Sequence, residues 1–128
     1  MKKLIFTVVL FAMFTILFVA CDGAGTGSNY NGPNTVHMAD ASFTQDSITI
    51  KKGSKLTLVS DTAQTHVITN GSWDSNGNPQ PKVEPGAPAF TANFQDNNPQ
   101  SFGPYNTAGT YHLYCTIHPS MNLTVVVQ

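Results

Sequence analysis

The strongest constraint on this chain is its patterning near the C-terminus. In "GTYHLYCTIHPSMNLTVVVQ", residues 109–128, two runs rich in aromatic, aliphatic and β-branched residues flank a short break, and neither carries a 3.6-residue apolar period. The same is true from Val36 onward. Short β-rich runs near 36–43, 47–50, 55–60, 66–69, 90–94, 109–115 and 122–127 alternate with Gly, Pro, Asn and Asp. "KKG" at 51–53 reads as a turn between the second run and the third. Residues 70–89, "NGSWDSNGNPQPKVEPGAPA", read mostly as loop. Seven or so short strands with no helical segment imply an all-β sandwich. Phe90, Phe94, Phe102, Tyr105 and Tyr111 are expected in its core, and Trp73 is expected to pack beside it.

An export sequence precedes that domain. Lys2 and Lys3 make a positive start, and residues 4–20 form an uncharged apolar run that ends against Cys21. This is the pattern of a bacterial signal peptide over residues 1–20. "LFVAC" is similar to a lipobox, in which the cysteine carries lipid and begins the mature chain. The run also stands at the short limit of a membrane span, so an uncleaved anchor competes with lipidation. Either version, like plain secretion, places the remainder outside the cytoplasm, in a periplasm or on the outer face of the cytoplasmic membrane. Residues 21–35 have the composition of a flexible tether, leaving 36–128 as the folded domain. From Cys21 on there are four lysines, no arginine and seven acidic residues. A net negative charge without a basic cluster excludes nucleic acid as a partner.

Export also makes the cysteines informative, because thiols pair in an oxidising compartment. The chain has two, Cys21 and Cys115. Cys21 lies at the far end of the tether and is blocked in the lipidated form, so Cys115 is expected to be an unpaired thiol that needs another explanation. It ends the run "GTYHLYC", where alternation puts Tyr111, Leu113 and Cys115 on the inward face and His112 and Tyr114 on the other. "TIHPSM" then forms a short loop, stiffened by Pro119, that can carry His118 and Met121 back toward the thiol. A further donor must come from elsewhere. His112 faces away by parity, and His37 alternates against Val36 and Met38, so both are read as outer-face residues. His66 follows the polar turn "SDTAQT" and opens "HVIT", a position from which a strand can offer a side chain to a neighbouring loop.

The donor types select the metal. Zinc sites take Cys, His and carboxylates, and iron–sulfur clusters take several thiolates; methionine suits neither. One Cys and two His with a weak axial Met is the blue-copper set.

On these residues the chain resembles the cupredoxins. "FGPYNTAGTYHLYCTIHPSMNLTVVV", residues 102–127, is similar to the C-terminal half of plastocyanin, pseudoazurin and amicyanin, and "KLTLVSDTAQTHVI", residues 55–68, to the segment that supplies their first histidine. The two residues between His118 and Met121 match the short ligand loop of amicyanin. The resemblance implies a Greek-key sandwich of about seven or eight strands and one type 1 copper ion, Cu(I)/Cu(II), held by His66, Cys115, His118 and Met121. Two positions depart from the pattern. Val67 stands where the family has an Asn whose side chain braces the ligand loop, and Leu123 stands where it has Gly.

The implied protein is a membrane-tethered monomer, not an enzyme, that carries single electrons between redox proteins such as a cytochrome, a membrane oxidase or a dehydrogenase. A copper carrier or storage lipoprotein is the alternative. Ile117 and Pro119 beside His118 are expected to form an apolar docking face.

Overall fold

The alternating runs become strands wherever a neighbour can cover their apolar side. A computed structural model describes residues 29–128. The expected signal peptide over residues 1–20, Cys21 and the expected tether up to residue 28 lie outside the described residues. The strands are β1 (Thr35–Met38), β2 (Ser47–Ile50), β3 (Leu56–Ser60), β4 (His66–Trp73), β5 (Pro79–Pro81), β6 (Thr91–Phe94), β7 (Gln100–Phe102), β8 (Gly109–Cys115) and β9 (Asn122–Val127). One sheet has the order β1-β3-β7; the other runs β2-β9-β8-β4-β5, with β6 also paired to β4. The β1–β3 and β2–β9 pairs are parallel and the rest antiparallel. Among the described residues no helix is long and apolar enough to cross a membrane.

The all-β sandwich expected from the sequence is observed, with four differences in its strands, the fourth at β4. The first run stops at Met38 because residues 39–42 turn, the Ala39 N–H donating to the Ser42 carbonyl at 2.8 Å, and Phe43 returns to bridge Met38. β7 is short and half polar, and it exists because it pairs with Leu56–Leu58. β5 is Pro79-Gln80-Pro81, which no strand pattern would select; it survives as an edge strand against Gly71–Trp73.

Alternation fills the core as its parity requires. Val36, Met38, Leu56 and Leu58 of the smaller sheet join Ile68, Phe94, Leu113, Leu123 and Val125 of the larger one in a single buried cluster. Each such side chain stabilises the fold by about 1.5–3 kcal/mol relative to exposure. Tyr105 and Tyr111 are buried within it, while Phe90 and Phe102 stack at its border with ring centroids 4.2 Å apart.

The expectation of loop over 70–89 fails at β4, which continues to Trp73 by changing partners. As far as Asn70 it pairs with β6 and β8, and from Gly71 it pairs with β5. Gly71 makes the change possible, with φ 124° and the Gln80 carbonyl oxygen 2.3 Å from where a Cβ would stand. Buried Asn70 holds the departing chain: its Nδ2 donates to the Pro88 carbonyl at 3.1 Å, and its Oδ1 accepts the Phe90 N–H at 2.9 Å. Where β4 leaves β8, Glu84 replaces it. The carboxylate accepts the His112 backbone N–H at 3.1 Å and meets the ring Nδ1 at 2.6 Å.

Candidate metal centre

Strand register explains how a histidine distant in sequence reaches the C-terminal loop. Ile68 of β4 lies opposite Cys115 of β8 in an antiparallel pair. His66 shares the face of Ile68 and starts β4, so it projects just past the end of β8, where the chain enters the loop. One more rung follows, the Thr116 N–H donating to the Val67 carbonyl at 2.8 Å. Val67 thus supports the loop through its backbone.

The loop closes on itself. The Met121 N–H donates to the His118 carbonyl at 3.2 Å, across a turn with Pro119 and then Ser120 at φ 67°. That is the pattern of a type II turn, proline followed by a positive φ. The Cys115 N–H donates to the Met121 carbonyl at 3.0 Å, bringing the loop ends together. The result places His118 Nδ1 3.4 Å from the Cys115 Sγ. The rings of His66 and His118 meet edge to face with centroids 4.9 Å apart. One donor atom from each of His66, Cys115 and His118 lies within 4.8 Å of the other two. Met121 is buried in the same cluster as Cys115. His66, Cys115 and His118 therefore converge at one end of the sandwich, with Met121 tied to the same strand end through its backbone bond to Cys115, and among the described residues no carboxylate joins the group.

His66 carries the clearest chemical signal. Its side chain is fully buried, yet neither Nδ1 nor Nε2 has a hydrogen-bond partner. Buried polar groups are ordinarily paired, and a neutral imidazole with a free lone pair is a metal ligand in waiting. Burial lowers its pKa from the usual 6.5, and the neighbouring His118 lowers it further. The Ala39 backbone and the Asp40 carboxylate pull the other way, the former without reaching hydrogen-bond geometry. His118 is half-buried, flanked by exposed Pro119 and by Ile117 with 49% of its surface open to solvent.

The other two histidines lie away from this group. His37 pairs with Asp61 through Nδ1 at 2.7 Å, and His112 is held by Glu84. Two contributors escaped the sequence reading. The Trp73 Nε1–H donates to the Cys115 carbonyl at 2.8 Å, and Asn122 bonds the Trp73 backbone on both sides, accepting its N–H at 2.7 Å and donating to its carbonyl at 3.0 Å. Asn76–Gly77, a hairpin-turn signal, marks the hairpin that carries Trp73 there.

No family model matches the sequence, and no curated protein matches it. Solved structures do. A variant of amicyanin in its reduced Cu(I) form at pH 4 superposes with a TM-score of 0.58 at 22% identity, covering 77% of this chain and 85% of that one. An oxidised amicyanin variant gives 0.58 at 21% identity over the same shares. A purple cupredoxin from Nitrosopumilus maritimus gives 0.54 at 18% identity, covering 73% of this chain and 98% of its own. At these identities the likeness is one of fold.

Proposed function

We propose that this chain is a cupredoxin, an exported and membrane-tethered blue copper protein that carries single electrons between redox partners. The observation that supports this most directly is the convergence of the Cys115 thiol with two imidazoles, one of them buried with both nitrogens unpaired. The donor set fits copper: a thiol, two imidazoles and a buried thioether are soft to borderline, and among the described residues no carboxylate joins them. His66, Cys115, His118 and Met121 would hold the ion. Bound copper would supply a one-electron couple between Cu(I) and Cu(II).

The protein's own contribution is to hold these side chains still and dry. His66 and Cys115 belong to paired strands of one sheet, and the Cys115–Met121 bond ties the loop back to the strand end. Rigid donors change position little when charge changes, which keeps the barrier to electron transfer low. His66, Cys115 and Met121 are shielded from water by the core. His118 alone of the four reaches partway out, so its ring edge, between Ile117 and Pro119, is the natural exit toward a docked partner.

The test is spectroscopic. The mature domain with one equivalent of Cu(II) should show intense visible absorption and a type 1 EPR signal, reduce reversibly, and lose the colour in Cys115→Ser; a colourless protein would refute the proposal. Slow copper release to a chelator separates an electron carrier from the alternative copper carrier or store, which must exchange its ion. The tether is tested independently, because Cys21→Ser should move the protein from the membrane to the soluble fraction.

A further inference from the structure

The ligand loop is fastened at both ends to a single residue outside it. Cys115 is the last residue of β8 and Asn122 the first of β9, so together they bracket the loop. The Trp73 indole N–H holds the Cys115 carbonyl at 2.8 Å, while the Trp73 backbone holds the Asn122 side chain through two bonds of 2.7 and 3.0 Å. The Trp73 ring also packs edge to face on Tyr114, centroids 5.8 Å apart, which buries Tyr114 on the face opposite the thiol. Trp73 ends β4 and His66 begins it. One strand therefore supplies a donor at one end and the fastening for the other three at its opposite end.

We infer that Trp73 and Asn122 form a clasp that positions the Cys115–Met121 loop for its metal, making Trp73 a positioning residue rather than a packing residue. This rests on the proposed copper site. The indole N–H points its positive end at the carbonyl of the thiolate residue, so its field reaches the centre as well as its geometry. Removing it should lower the reduction potential, because a positive dipole end favours the less positive ion.

The experiment compares wild type with Trp73→Phe, which keeps an aromatic ring but loses the donor, and with Asn122→Ala, which frees the Trp73 backbone without touching the indole. In the metal-free proteins, hydrogen exchange of the amides at 115, 116 and 121 should be faster in both variants. After copper loading, both should release copper to a chelator about tenfold faster or more, the range seen when outer supports of metal ligands are removed. Trp73→Phe should in addition shift the visible band positions and lower the potential. Blue variants with wild-type release, spectrum and potential would overturn the clasp while leaving the copper proposal intact, even if their melting temperatures fall. A colourless wild type would overturn both. If Trp73→Phe does not fold, Asn122→Ala with unchanged exchange and release is sufficient to reject the inference.

Discussion

Among the described residues, His66 is fully buried with both ring nitrogens unpaired. Its lowered pKa has a direct consequence for stability. As pH falls past 6.5 the unfolded chain takes up a proton on this ring before the folded one does, so the contribution of His66 is full above that pH and is lost as pH drops through the lower folded value. The melting temperature of the metal-free domain should fall between pH 7.5 and 5. His66→Gln, which cannot titrate, should flatten the profile; an unchanged slope in that variant would contradict the assignment. Cys115 is the complementary case. Strand parity and Leu113 read its inward direction correctly from the sequence, whereas the 3.4 Å approach of His118 depends on a turn whose Ser120 takes a positive φ that serine does not advertise.

Among the elements, β4 has the most unusual construction, because it pairs with β6 and β8 before a bend and with β5 after it. Asn70 and Gly71 carry that bend. Asn70→Ala would strip the Phe90 N–H and the Pro88 carbonyl of their partner and should cost about 2 kcal/mol in urea unfolding. Gly71→Ala would force a side chain against the Gln80 carbonyl at a φ that only glycine accepts readily, costing at least about 2 kcal/mol. Trp73 is the only tryptophan, so both losses can be read in its emission, which should move to longer wavelength as the β4–β5 hairpin lifts. Unshifted emission in Gly71→Ala would mean that the hairpin does not depend on the bend. This element was barely legible in advance. Asn76–Gly77 marked the turn, but Pro79 and Pro81 hid the returning strand, and the segment's many Gly and Asn residues concealed the strand leading into it.

For the molecule as a whole, the sandwich gathers His66, Cys115 and His118 at one end, where exposed Ile117 and Pro119 flank the half-buried His118 in the chain. A charge placed there should disturb docking without reaching the buried donors. Under the proposed function, Ile117→Lys is expected to slow electron transfer to a soluble cytochrome by about tenfold, the effect of losing one central interface contact, with the visible spectrum unchanged. Equal rates would place the docking face elsewhere.

Local pattern settled a large part of this protein. Period-2 alternation decided the all-β class and the inward set Tyr111, Leu113, Cys115, and the spacing of Cys115, His118 and Met121 showed that one short loop could converge its donors. These are properties of neighbouring residues, and neighbours are what a sequence displays. Tertiary structure decided what depends on distant backbone meeting: the register that sets Ile68 opposite Cys115 and so delivers His66, the burial that leaves its nitrogens unpaired, and the bonds from Trp73 and Asn122 that secure the loop. Register is chosen by the packing of two whole sheets, and no single stretch of chain contains that information.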